Sequence, residues 1–289
     1  MNKQSVNEAV ISGKASPLKK ALLAAFAALM LSTAALAPQA GAQVAPADQR
    51  AVSGENELTN GLPVSYTDAR GHKAFQCLSD QALCAIEDPN AIGEVVYWAG
   101  ETSMPVGKAD ARGRQGQASL VMSVEGAYES PATFTDPITG SVILVKADGL
   151  RPNTVYKVSH PYGNFQVRTN GDGEFPRNRN TLAEAGCDIE PGGECDFGLA
   201  LESPVFNNFL RWDTGAPAGY YGDPEVNHKV VGSLVKNAAG KPQNYFRIEG
   251  PAAGGAGKAV KTTARFSVAG QKFQDTTTVL APPEEAAAE

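Results

Sequence analysis

After an apolar N-terminal stretch that ends at Ala37, the chain shows almost no run of apolar residues at helical spacing. Short segments rich in valine, isoleucine, tyrosine and phenylalanine alternate instead with Gly, Pro, Asn and Asp, the pattern of an all-β sandwich or barrel. "LPVSY" and "HKAFQCL" flank "TDARG", a turn whose Gly71 is placed for positive φ, which predicts a first hairpin. "EVVYWA", "QASLVMSVEGAY", "GSVILVKADG", "TVYKVSH" and "NFQVRT" follow as strands, and "TNGDGEF" supplies an Asn-Gly/Asp-Gly turn. "FGLALESPVFNNFLRWD" fits a short helix or a buried strand equally well, and "NYFRIEG" and "TTARFSVAG" read as two further strands. The expected fold is all-β, a mostly antiparallel sandwich with irregular loops and at most one short helix.

One stretch is more specific. "GLRPNTVYKVSH", residues 149–160, resembles the turn-into-strand element of fibronectin type III and immunoglobulin-like sandwiches. The resemblance implies that Leu150 points inward, that the Tyr156 hydroxyl bonds back to the backbone as a tyrosine corner, and that residues 116–180 are the immunoglobulin-like part. A wider likeness rests on "HPYGNFQV", "GCDIEPGGECDFGLAL", "FLRWDTGAPAGYYGDPEVNH" and "NYFRIEGP". In that order they resemble a group of exported bacterial proteins sharing His-Pro-Tyr-Gly, Gly-Cys…Cys-Asp-Phe, Phe-Leu-Arg-Trp-Asp, Gly-Tyr-x-Gly-Asp-Pro and Phe-Arg-Ile-Glu-Gly-Pro motifs. The likeness brings no activity, cofactor or catalytic residue. It implies a single continuous β-rich module over residues 60–270, preceded by a flexible segment at 43–59 and followed by a disordered tail at 271–289.

The N-terminus runs from Lys14, Lys19 and Lys20 into an alanine/leucine stretch and then "APQAGAQ", the three parts of a secretory signal with cleavage after Ala42. A membrane anchor is the alternative, but it wants about twenty predominantly apolar residues, and this run is alanine-diluted and ends in proline, glycine and glutamine. The expected location is therefore secreted, periplasmic or at the cell surface, with no membrane span once the signal is removed. Cleavage takes four lysines and one glutamate with it, so the net charge moves from −6 to −9. So acidic a chain, without a Lys/Arg cluster, argues against nucleic acid and against an anionic membrane surface.

All four cysteines fall after the signal, as two close pairs. An even count in an exported chain reads as disulfides, and four cysteines allow three connectivities. The local pairing, Cys77 with Cys84 and Cys187 with Cys195, is favoured because "LSDQAL" and "DIEPGGE" can fold the chain back. Zinc is the rival reading, but these spacings are wider than the usual knuckle, and thiol redox catalysis wants a tighter Cys-x-x-Cys.

No catalytic set assembles from the letters. Asp213-Thr214-Gly215 carries the aspartic-protease triplet, but it occurs once and follows Arg211 and Trp212 where such enzymes have an apolar strand; a turn explains it equally. Asp172, Glu174, Asp213, Asp223, Glu225 and Glu249 are carboxylates from which a glycosidase pair would have to come, and only their spacing in the fold identifies one. "NGDGE", residues 170–174, opens as a calcium loop does and closes as a hairpin turn does. The three histidines, His72, His160 and His228, form no His-x-His or His-x3-His pair; His160 and His228 lie beside turns and are the candidates for a metal site, against ordinary turn hydrogen bonding. No cofactor is expected.

The aromatic residues suggest binding instead. Trp212, Tyr220 and Tyr221 crowd a proline- and glycine-rich loop region with Asp213 and Asp223, and Tyr162 sits in another turn. Such rings serve as platforms for sugars or as interface hot spots, and equally as lids over the open end of a sandwich. The expected function is a non-catalytic binding or structural role toward a glycan or a cell-envelope protein. The alternative is a secreted polysaccharide hydrolase using carboxylates near an aromatic-lined cleft.

Overall fold

In the computed structural model the described residues are 50–53, 58–59, 61–77, 82–84, 94–130, 135–176, 178–186 and 196–272. The strands in chain order are β1 (Ala51–Val52), β2 (Leu58–Thr59), β3 (Leu62–Pro63), β4 (Ser65–Thr67), β5 (Lys73–Phe75), β6 (Glu94–Val106), β7 (Gly116–Ser130), β8 (Thr135–Ala147), β9 (Val155–His160), β10 (Gly163–Arg168) and β11 (Asn178–Gly186). After two 3-10 turns, Phe197–Glu202 and Pro204–Asn207, come β12 (Arg211–Trp212), β13 (His228–Val231), β14 (Phe246–Glu249), β15 (Val260–Thr263), β16 (Arg265–Ala269) and β17 (Gln271–Lys272). All pairings are antiparallel, in a seven-stranded sheet β11-β8-β7-β6-β16-β13-β12, two four-stranded sheets, β10-β9-β14-β15 and β1-β4-β5-β17, and the ribbon β2-β3. The fold is all-β and sandwich-like, as the strand pattern predicts.

The long strands β6, β7 and β8 set the frame because their side chains alternate. Trp98, Met104, Leu120, Met122, Val124, Ile143 and Val145 face one core, which the small sheet completes with Tyr156, Val158, Phe246 and Ile248. Val121, Val142 and Leu144 form a separate buried cluster on the opposite face, which is why "SLVMSV" and "SVILV" read as apolar runs without clean alternation. The segment read as short helix or buried strand takes neither form at full length. Its two 3-10 turns and Phe209 plug the core: Phe206 and Phe209 are buried, Phe209 stacks on Trp98 at 5.8 Å, and Trp98 Nε1 donates to Leu210 O at 2.9 Å.

The hairpin around "TDARG" is present as β4–β5, with Gly71 at φ +79°. The corner at residues 149–160 has the expected contacts. Leu150 is buried, and the Tyr156 hydroxyl accepts from Arg151 N at 3.0 Å and donates to Pro251 O at 2.9 Å. Gly149, at φ +65°, lies so close to β7 that a Cβ there would stand 2.6 Å from Gly116 Cα, so only glycine fits.

β1 pairs with β4 inside the segment 43–59, and β17 pairs with β5 at the start of 271–289, so among the described residues the strands run from Ala51 to Lys272. Strands of two residues are too short to show a period, which hides them from pattern reading. The remainder of the expected tail, residues 273–289, lies outside the described residues, as do the signal segment and the pair Cys187 and Cys195.

Cys77 and Cys84 are joined by a disulfide and both are fully buried. The bridge fastens the end of β5 beside β6, where Cys77 N donates to Val96 O at 2.9 Å. Replacing Cys77 by serine is expected to cost about 2 to 3 kcal/mol, the closure entropy of so short a loop. Urea unfolding of the variant, compared with the oxidised and reduced wild type, measures it.

Candidate functional site

The candidate site lies on β12 and β13, at one edge of the large sheet. Trp212 pairs with Val230, and Asp213 N donates to Lys229 O at 3.0 Å, which sets Trp212 diagonal to His228 and Asp213 opposite Lys229. The Trp212 and His228 rings stack with centroids 4.5 Å apart and planes 24° from parallel. His228 Nδ1 lies 3.3 Å from Asp213 Oδ1 and 3.1 Å from Lys229 O. Both neighbours are acceptors, so the proton of the neutral ring belongs on Nδ1 and Nε2 is the acceptor. Lys229 Nζ stands 3.3 Å from Asp213 Oδ2.

Desolvation pushes the Asp213 carboxyl up, but the Lys229 hydrogen bond and charge, the His228 charge and the Thr214 N–H together hold it below the ordinary carboxylate range. Asp213 is thus an ionised acceptor, bound through Oδ2 to Lys229 while Oδ1 faces His228 without a formed hydrogen bond, and among the described residues no second carboxylate shares its proton as a protease dyad requires. Behind the stack the indole rests on backbone: a Cβ on Gly222 would fall 2.6 Å from Trp212 Nε1. Trp212, Asp213 and His228 are all half-buried, so the cluster forms a rim with part of each side chain open to solvent; Tyr220 and Asp223 are half-buried too, the first bridging Gln271 and the second accepting from Glu225 N.

Two residues of the expected platform belong elsewhere. Tyr221 is buried against Phe209, and Tyr162 is buried with its hydroxyl donating to Asn208 O at 2.9 Å and its ring edge-on to Trp98. Both are core side chains. The adjacent Tyr220 and Tyr221 part company where a turn from Pro217 ends: Tyr220 bridges Gln271 and stays half-buried, whereas Tyr221 N donates to Gly270 O and its ring packs into the core.

The two candidate metal histidines do not converge. His160 is buried on β9, its Nδ1 accepting from Tyr162 N at 3.3 Å and its ring against Phe165, whereas His228 belongs to the Trp212 cluster. Burial lowers the His160 pKa to about 4, so this imidazole is neutral near neutral pH. Among the described residues no three His, Cys, Asp or Glu side chains gather as a metal site would need. In the "NGDGE" turn Asn170 Oδ1 accepts from Asp172 N and Glu174 N at 3.0 and 2.9 Å, so the hairpin-turn reading describes it.

A second Asp–His pair is one the sequence reading missed. Asp68 is fully buried, and its carboxylate accepts from Arg70 N, His72 N, His72 Nδ1 and, across the molecule, Phe209 N at 2.8 Å. The first two bonds are those of an Asx turn, which "TDARG" does announce. The bond to Phe209, 141 residues away, has no local signature.

These features define an antiparallel β-sandwich with one disulfide among its described residues and a charged aromatic rim at a sheet edge. No protein-family model, curated protein or solved structure matches the chain. No helix of the described residues is long and apolar enough to cross a membrane.

Proposed function

We propose that this chain is an exported binding module without catalysis of its own, working at the cell surface or outside the cell, and that its ligand is a glycan held at the Trp212 rim. The signal-like N-terminus and the buried disulfide support export. The observation that carries the binding reading is the Trp212–His228 stack with Asp213 pinned between His228 and Lys229. A flat, partly open aromatic pair supplies the stacking face that sugars use, while Asp213 and His228 Nε2 accept from hydroxyl groups and Lys229 donates to them. Because Lys229 holds Asp213 ionised, it suits hydrogen-bond recognition and not proton delivery.

The test is a thermal-shift screen of the purified protein against soluble glycans and divalent metals. A saturable rise with one glycan, lost in Trp212→Ala and reduced in His228→Ala, is the expected result. A rise with a metal, or a glycan response that Trp212→Ala leaves intact, sinks the assignment.

A further inference from the structure

On the other side of the same edge, two cations meet and neither is ion-paired with a carboxylate among the described residues. β12, the Tyr220–Tyr221 segment and β17 run side by side: Trp212 N donates to Tyr221 O at 3.0 Å, Tyr221 N to Gly270 O at 2.9 Å, and Lys272 N to Gly219 O at 2.7 Å. Lys272 Nζ stands 5.6 Å from the Tyr221 ring centroid. Arg211, on β12, has a buried Nη1 with no hydrogen-bond partner, and neither Arg211 nor Lys272 takes part in an ion pair among the described residues. Their charges act on one another. Desolvation, and after it the field of Arg211, lower the Lys272 pKa, and the Arg211 charge also reaches the Tyr221 hydroxyl.

The carboxylates nearby, among the described residues, face other groups. Asp68, whose charge also reaches Tyr221, accepts from three backbone N–H groups and from His72. Asp213 Oδ2 is held by Lys229, its Oδ1, which makes no hydrogen bond, lies 3.3 Å from His228 Nδ1, and Asp223 Oδ1 accepts from Glu225 N. A chain of net charge −6 offers many carboxylates, yet these two cations remain unpaired while one guanidinium nitrogen sits buried and unbonded. A buried unbonded donor next to a second positive charge is costly unless an acceptor bearing negative charge completes it.

We propose that Arg211 and Lys272 form a binding site for an oxyanion, a carboxylate or phosphate group, beside the Tyr221 ring. Arg211 supplies the planar fork that matches two oxygens at once, and Lys272 supplies a point charge steadied over the aromatic face. The site is separate from the Trp212 stack and stands whether or not that stack binds a glycan.

Melting of the purified protein in sodium phosphate and in sodium acetate, each against sodium chloride at matched ionic strength, tests this. A saturable rise with one anion and not the other tells a tetrahedral from a planar ligand. The rise is expected to vanish in Lys272→Met, which keeps the aliphatic stem on Tyr221, and to need about tenfold more anion in Arg211→Lys, which keeps charge but loses the fork. Without added anion, Lys272→Met melts no lower than wild type, since it removes repulsion. No saturable rise with either anion, an equal rise in Lys272→Met, or a marked loss of melting temperature in anion-free Lys272→Met would overturn the proposal, the last by showing that the ammonium serves to hold the fold.

Discussion

Replacing Asp68 by alanine is expected to destabilise the protein by about 3 to 5 kcal/mol, because it leaves several donors without an acceptor in one step. The Phe209 N–H is buried at the centre of the aromatic plug, where Phe209 contacts Trp98, Phe206 and Tyr221. The N–H groups of Arg70 and His72 lose the acceptor that shapes the β4–β5 turn, and His72 loses the carboxylate that orients its ring. Asp68→Asn retains an acceptor oxygen and is expected to cost roughly half as much, while His72→Ala, whose ring is partly exposed, costs about 1 kcal/mol. Urea denaturation of the three variants gives the ranking. A loss under about 1 kcal/mol for Asp68→Ala would mean that water replaces the carboxylate, and that this residue does not tie the hairpin to the plug.

Two buried groups are expected to give opposite pH dependences that nearly cancel. Burial of Glu101, on the face of β6 opposite Trp98, raises its carboxyl from 4.5 to about 7, with Lys146 opposing the rise. Below pH 4.5 it is protonated in both folded and unfolded states and costs nothing. Between pH 4.5 and 7 the unfolded chain ionises first, so stability falls as pH rises. His160 acts in the reverse sense. Above pH 6.5 its ring is neutral in both states; between 6.5 and about 4 the unfolded chain takes up the proton first, so stability falls as pH falls. Each effect amounts to about 3 kcal/mol across its window as an upper bound. Between pH 4.5 and 6.5, then, these two groups leave the wild type nearly flat. Glu101→Gln should expose a stability that climbs with pH through this range, and His160→Gln one that declines. Denaturation midpoints at half-unit pH steps measure the slopes, and parallel profiles for the wild type and both variants would refute the assignment.

How much of this was legible follows from how local each cause is. The strands of the frame, β6 to β10, announce themselves by β-branched runs bounded by turns, and the corner at Tyr156 by a motif a dozen residues long. β11 does not: "NRNTLAEAG" has one large apolar residue and pairs with β8 through its backbone, with a register shift between Leu182 and Ala185. β12 and β13 are short and exist because β16 offers them a place in a sheet. The rim was half legible. Trp212, Asp213 and His228 were candidates for separate reasons, yet their convergence depends on the pairing of β12 with β13, which no spacing encodes. For Tyr221 the letters leave platform and lid open, and only the contact of its ring with Phe209 places it in the core. Arg211 entered only as a departure from a protease pattern; its unpaired state depends on Tyr221 and Lys272, which the chain delivers from ten and sixty-one residues further on.

On the proposed function, the rim binds a glycan and leaves it whole. Calorimetric titration with the glycan selected by thermal shift, with reducing ends counted in the same samples over many hours, tests this most directly. The expected result is a saturable heat of binding that Trp212→Ala abolishes, and a reducing-end count that does not rise. A rise that Asp213→Asn or Glu249→Gln abolishes would contradict it and make the protein a hydrolase.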